Sequence, residues 1–220
     1  MGLGREKRAL IVAGAARQLK NGMIVNLGIG IPTMVADFVP EGMHVVFQAE
    51  NGILGYGTSP REGEEDPYIC NAGGLPVTLM DEASYFDSTV AFGMIRRGFL
   101  DLTVLGALQV SEQGDLANWI VPGKRVPGMG GAIDLAQKAK RVVVVTEHVS
   151  RDGSPKILRD CTFPLTVRQS VNLIITDMAV IEVTPDGLVL REVAQEYEIA
   201  DVIRATGAPL MVPDTKLINF

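Results

Sequence analysis

Val142, Val143, Val144 and Val145 stand in an unbroken row ahead of Thr146. Successive residues of a strand point to opposite faces, so four β-branched residues in a row require apolar cover on both sides. That cover exists in the middle of a sheet sandwiched between layers of helix, the architecture of parallel α/β proteins. The rest of the chain supplies the pieces. Residues 5–20 read as a helix, with Val12, Ala15, Ala16 and Leu19 on one face and Asn21-Gly22 closing it. Residues 23–28 form an apolar strand that ends in Gly28-Ile29-Gly30-Ile31-Pro32-Thr33, and Pro32 suits the first position of a helix over 32–38. Residues 44–49 read as a second strand, stopped by the turn chemistry of Glu50-Asn51-Gly52.

Further on, residues 55–75 are rich in glycine, proline and charge and read as a long loop. Strands are expected at 76–80, 100–110, 118–121 and 141–146, and helices at 87–97 and 132–139. Residues 180–183 and 188–192 flank Pro185-Asp186-Gly187, a hairpin signal, and a closing helix over 199–206 ends at Gly207. The fold class expected is α/β: an open, mainly parallel sheet flanked by helices, with a small antiparallel hairpin near the C-terminus. A length of 220 residues fits a single domain over 1–220, able to bury roughly 70% of its unfolded surface.

Composition narrows the function. Hydrophobic residues make up 47% and mean hydropathy is +0.22, yet no apolar run approaches the ~20 residues of a membrane span. The surplus is expected to enter an interface with another chain. A net charge of −6 without long blocks of like charge argues against nucleic acid as a partner. Met1 to Arg8 is polar and basic, without the apolar core of a secretory signal, and Met1-Gly2 lacks Ser or Thr at position 6 for myristoylation. The expected location is the cytoplasm. Cys70 and Cys161 form no CxxC pair, and the two histidines, His44 and His148, make no metal-ligand cluster. No metal is expected. There is no G-x-S-x-G elbow, and Gly123-Lys124 is followed by Arg125 rather than the Ser or Thr of a phosphate-binding loop.

In open α/β sheets, ligands bind beyond the carboxyl ends of the strands. Three features converge there. Asn26 precedes the Gly28/Gly30 turn, Glu50 closes its strand, and Gly128-Met129-Gly130-Gly131 opens a helix. Glycines before a helix leave backbone N–H groups free to face an anion or an oxyanion. Glu50 lies between Gln48-Ala49 and Asn51-Gly52-Ile53-Leu54-Gly55, a setting of limited solvation that favours nucleophilic behaviour. Read on residues alone, a capping or ion-paired glutamate stays open beside a nucleophile, and a tight strand-to-helix turn stays open beside a ligand site at Gly28/Gly30.

Five stretches carry a resemblance: Asn26-Leu27-Gly28-Ile29-Gly30-Ile31-Pro32, Glu50-Asn51-Gly52-Ile53-Leu54-Gly55, Gly114-Asp115-Leu116-Ala117-Asn118-Trp119, Pro122-Gly123-Lys124, and Gly128-Met129-Gly130-Gly131-Ala132-Ile133-Asp134-Leu135. From about residue 5 to 205, the chain resembles the B (beta) half of the family I coenzyme A transferases, the 3-oxoacid type acting on acetoacetate. The resemblance implies transfer of coenzyme A between an acyl-CoA and a small carboxylic acid through a glutamyl-CoA thioester. It implies Glu50 as nucleophile, Gly131 with Gly130 beside it as oxyanion donor, Asn26 near the thioester or substrate carboxylate, and Gly28, Gly30 and Asn51 in the substrate and CoA site. It also implies, as partner, the A half of a CoA-transferase in an A₂B₂ hetero-oligomer, with acyl-CoA and short acids as ligands and no cofactor beyond coenzyme A as substrate. Ala49 stands where the family pattern has serine, and loss of that hydroxyl is expected to bear on rate or acyl preference. The alternatives are an acyl-CoA hydrolase, a sugar-phosphate isomerase on a related scaffold and a non-catalytic CoA-binding protein.

Overall fold

The computed structural model describes residues 4–123, 126, 128–213 and 216–218. Met1-Gly2 and Lys124 of the Pro122-Gly123-Lys124 stretch lie outside them. In chain order the elements are α1 (Arg5–Ala16), β1 (Ile24–Leu27), a 3₁₀ helix (Ile31–Phe38), β2 (Val46–Ala49), β3 (Ile53–Tyr56), β4 (Leu79–Tyr85), α2 (Ser88–Arg96), β5 (Leu102–Gly106), β6 (Gln109–Ser111) and β7 (Leu116–Ala117). There follow α3 (Ala132–Lys138), β8 (Val142–Val145), β9 (Ile157–Leu158), β10 (Leu173–Ile175), β11 (Ala179–Thr184), β12 (Gly187–Ala194), α4 (Ile199–Ala205), β13 (Leu210–Met211) and β14 (Lys216–Ile218).

The main sheet runs β13-β12-β11-β10-β8-β5-β1-β2-β3-β4, with β14 also on β12. Its centre, β10-β8-β5-β1-β2, is parallel, and antiparallel hairpins extend both sides. The four valines behave as their pattern requires. Val143 and Val145 join the apolar layer under α1 and the 3₁₀ helix, with Val25, Phe47 and Leu102. Val142 and Val144 join the opposite layer, with Ile95 of α2, Leu135 of α3 and Val202 of α4. A second, three-stranded sheet orders β7-β6-β9.

Departures from the sequence reading have local causes. α1 stops at Ala16 because Gln18 and Leu19 tighten into i→i−3 bonds ahead of Gly22, whose φ is +81°. Leu19 still buries. The helix expected at 32–38 is 3₁₀, with Pro32 in its first turn. The strand expected at 100–110 is two: the chain leaves the main sheet after Gly106, and β6 pairs with β7 and β9 instead. Residues 118–121 are not a strand, because Asn118 bonds Thr166 and the Gly106 carbonyl while the Trp119 indole donates to Leu165 O at 3.3 Å. The strand sought at 76–80 lies at Leu79–Tyr85, where exposed Asp81 and Glu82 mark the charged edge of the sheet. The C-terminal hairpin is present and continues the main sheet through β10.

Candidate active site

β1 and β2 lie parallel with Asn26 opposite Gln48. Side chains two apart on a strand share a face, so Gln48 and Glu50 project together at the carboxyl end of β2. Asn26 and Gln48 are both 0% exposed, whereas Glu50 is half-buried. The Asn26 amide Nδ2 reaches Glu50 Oε2 at 3.0 Å, Gln48 Oε1 at 2.9 Å and Gln48 O at 3.1 Å. Donation to a carboxylate is the stronger kind of hydrogen bond, and it fixes one Glu50 oxygen.

The other oxygen faces the start of α3. A Cβ built on Gly131 would lie 3.6 Å from Glu50 Oε1, and 3.1 Å from Cζ of Phe92 on α2. The paired Arg96–Asp134 contact, 2.9 Å from Nε to Oδ1, ties α2 to α3 and so holds Gly131 in place.

The turn after Glu50 is forced by Gly52. Its φ is +120°, and a Cβ there would stand 1.9 Å from the Phe86 carbonyl oxygen. The Phe86 N–H closes this approach on Gly52 O at 3.0 Å, and Asp87 then caps α2 by accepting from Val90 N–H at 3.1 Å. Glu50 is thus gripped between its own hairpin and the helix that supports Gly131. Its negative charge is felt nearby: burial, and secondarily Glu50, push the Tyr56 phenol upward.

The remaining sequence-selected residues divide. The Gly28 N–H donates to Val104 O at 2.8 Å, and a Cβ would meet that oxygen at 3.1 Å. Gly28 therefore serves the close approach of β1 to β5, with its N–H engaged inside the sheet. Gly30, at φ +95°, is exposed and opens the turn that Thr33 closes. Asn51 is exposed, and its Nδ2 donates to Cys70 O at 2.8 Å, pinning the long loop beside the Glu50 turn. Asn26, expected near the thioester or substrate carboxylate, is covered and donates to Glu50. Gly130 is exposed at φ +54°. Ala49 is 2% exposed and packs in the apolar layer with Phe47 and Ile53, on the face away from Gln48 and Glu50. The position where the family pattern has serine thus points its side chain away from the Glu50 carboxylate.

Sequence alone does not single out Gln48, although an amide two residues before Glu50, on the same strand face, is the available signal. Neither histidine serves Glu50. His44 is exposed before β2, and His148 is buried, with its ring nitrogens 2.9 Å from Thr176 Oγ1 and 2.9 Å from Thr206 Oγ1. A cleft of about 920 Å³ between Glu112, Arg159, Asn172 and Asp186 takes no lining from β1, β2 or α3. Among the described residues no group of three or more His, Cys, Asp or Glu side chains is placed to hold a metal. Among them, no helix is long and apolar enough to cross a membrane.

Comparison with known proteins gives the family. A family model described as coenzyme A transferase matches residues 9–205. The beta chain of a probable coenzyme A transferase of Bacillus subtilis (strain 168) is 55% identical over 212 residues, covering 96% of this chain and 98% of that protein. The B chain of a probable succinyl-CoA:3-ketoacid coenzyme A transferase of the same organism is 47% identical over 213 residues, covering 97% and 99%. Among solved structures, an acyl-CoA transferase apoenzyme from Escherichia coli O157:H7 superposes with a TM-score of 0.78 at 20% identity, over 100% of this chain and 44% of that one, a likeness of fold. The chain belongs to the coenzyme A transferase family. The reaction class is movement of coenzyme A between an acyl-CoA and a carboxylic acid.

Proposed function

We propose that Glu50 is the group acylated during this transfer, that the acid exchanged is a 3-oxoacid such as acetoacetate, and that the whole chain acts as one domain, the B half of an enzyme completed by an A-type partner. The observation that carries the reading is the split environment of one carboxylate. Oε2 is tethered by Asn26 at 3.0 Å, while Oε1 stands clear beside Gly131.

Oε1 attacks the acyl carbonyl carbon, the C–S bond breaks, and coenzyme A leaves as thiolate. The thiolate then attacks the glutamyl carbonyl of the anhydride, releasing the first acid and leaving a glutamyl-CoA thioester. The incoming carboxylate runs both steps in reverse. A carboxylate is already ionised at neutral pH, so no histidine is needed as a base. A thiolate departs without a general acid. Charge does build on the carbonyl oxygen, and the Gly131 N–H is the proposed donor there, worth roughly 3 kcal/mol. Gly30, Asn51 and Gly130 line the approach, and the remote parts of CoA contribute binding energy to the reacting centre. The route uses no metal, ATP or redox cofactor. The A half supplies most of the CoA site, an A₂B₂ assembly is the proposed stoichiometry, and the cytoplasm the proposed location. Relatives named as B or beta components support the partner, and the 3-ketoacid relative supports the acid.

The test is trapping. The enzyme assembled with its A-type partner is incubated with acyl-CoA, quenched with borohydride or hydroxylamine, and the peptide carrying Glu50 is weighed. A modified Glu50, absent in Glu50→Gln together with all exchange, is expected. Normal exchange by Glu50→Gln overturns the reading. Acid released without an acceptor points to a hydrolase, and coenzyme A binding without an adduct to a non-catalytic binding protein.

A further inference from the structure

We propose that Gln48 is a positioning residue for the Glu50 carboxylate, acting through Asn26; the inference rests on Glu50 being the acylated group. Asn26 and Gln48 are fully buried polar side chains facing each other in register across the parallel β1–β2 pair. The Asn26 nitrogen meets three acceptors: Gln48 Oε1 at 2.9 Å, Gln48 O at 3.1 Å and Glu50 Oε2 at 3.0 Å. Its oxygen meets one donor, Thr103 Oγ1, at the longer distance of 3.5 Å.

An amide has two nearly isosteric orientations. Turned over, Asn26 would put its oxygen against the Glu50 carboxylate and both Gln48 oxygens, with no donor among the three. Gln48 therefore biases Asn26 toward the orientation that donates to Glu50. Its own orientation is set in turn. Gln48 Nε2 lies 3.5 Å from the carbonyl oxygen of Ala91 in α2, an acceptor only, so Oε1 is directed at Asn26. The relay runs from α2 through Gln48 and Asn26 to Oε2, leaving Oε1 to attack. Gln48 touches no substrate at any stage.

Gln48→Met keeps length and volume and removes both polar atoms. In the assembled enzyme, single-turnover acylation of Glu50, followed by mass, should slow roughly tenfold, the worth of one hydrogen bond, with KM for acyl-CoA little changed. In an Asn26→Ala background the same substitution should add little, because the relay is already cut. Gln48→Glu provides a second handle. Protonated, its carboxyl offers the same acceptor to Asn26 and a donor to Ala91 O. Ionised, it adds charge beside Glu50. Its acylation rate relative to wild type should therefore fall as pH rises. An unchanged acylation rate in Gln48→Met overturns the proposal. So does an effect that simply adds to that of Asn26→Ala, or a pH-independent ratio for Gln48→Glu. If wild-type Glu50 never acquires the adduct, the nucleophile reading itself fails; if it does and Gln48→Met matches it, only the relay fails.

Discussion

Replacing Gly131 by alanine places a single methyl group at the point where, in the proposed mechanism, the acyl carbonyl meets Glu50. Gly131 has φ −81° and ψ 0°, ordinary helical backbone, so alanine introduces no backbone strain. Its Cβ would stand 3.1 Å and 3.2 Å from Cζ and Cε1 of Phe92, the far edge of a ring that can retreat by a few tenths of an ångström. The stability cost should sit near the low end of overpacking, about 1 kcal/mol. The same Cβ would stand 3.6 Å from Oε1. A carbonyl carbon in near-attack geometry needs to be ~3–3.5 Å from that oxygen, so methyl and carbonyl compete for one volume. Holding the acyl group off the Gly131 N–H forfeits the proposed oxyanion donor, roughly 10²–10³ in rate. The assay is kcat/KM for CoA exchange in the assembled enzyme, with thermal unfolding of the same preparation as the control. A fold of near wild-type stability and a rate lowered by that factor are expected. An alanine variant that acylates Glu50 at the wild-type rate would refute the placement of the acyl group between Oε1 and Gly131.

Gly52→Ala should behave differently, since φ is +120° and the added Cβ meets backbone at 1.9 Å, which cannot retreat as Phe92 can. A loss of at least about 2–4 kcal/mol in unfolding free energy, with loss of exchange, is expected by denaturant titration. His148 gives a pH dependence. Burial holds its imidazole down at about 4 from an ordinary 6.5, partly opposed by Asp177. The unfolded chain therefore takes up the proton first as pH falls. Stability from this group is full above about 6.5 and is lost progressively down to about 4, by about 3 kcal/mol in all. Unfolding titrations of wild type and His148→Gln across that window should differ in slope, and parallel curves would count against it. Ala49→Ser should lower stability by about 1–3 kcal/mol if the buried hydroxyl finds no partner. It should leave the ratio of kcat/KM between acceptor acids unchanged, because the side chain faces Phe47 and Ile53; a panel of acids measures this.

The middle of the sheet is legible in the sequence because its strands carry runs whose apolar residues outnumber any competing pattern, as at β8. Short strands and strands interrupted by glycine are not. β3 reads partly as loop because Gly55 and Gly57 surround Tyr56. Gly55 sits at φ +87° against Ala83, in a register shift that lets the strand pass with a glycine inside it. β10 is three residues long, too short for periodicity to declare itself. In the site, Glu50 and Gly131 stand out through ordered motifs far apart in sequence, and the structure brings them together. Asn26 is legible as a site residue, but its bond to Glu50 is not. Whether an amide faces substrate or carboxylate depends on the β1–β2 register, which pairs Asn26 with Gln48 and which no local pattern encodes.

That register explains a choice of residues that stability alone does not favour. Elsewhere the centre of the sheet is built largely from valine, leucine and isoleucine on both faces. At Asn26 and Gln48 it accepts two amides, each requiring a partner, since an unpaired buried polar group costs about 1–3 kcal/mol. The partners are found in one another and in Glu50, the Ala91 carbonyl and the Thr103 hydroxyl, so the pair contributes little that two packed aliphatic side chains would not. Only one of its hydrogen bonds leaves the pair toward a half-buried group, and that bond ends on Glu50 Oε2. A polar pair placed where an apolar pair would pack as well, with its one bond to a half-buried group directed at one carboxylate oxygen, fits the proposal that the other oxygen is left free to react.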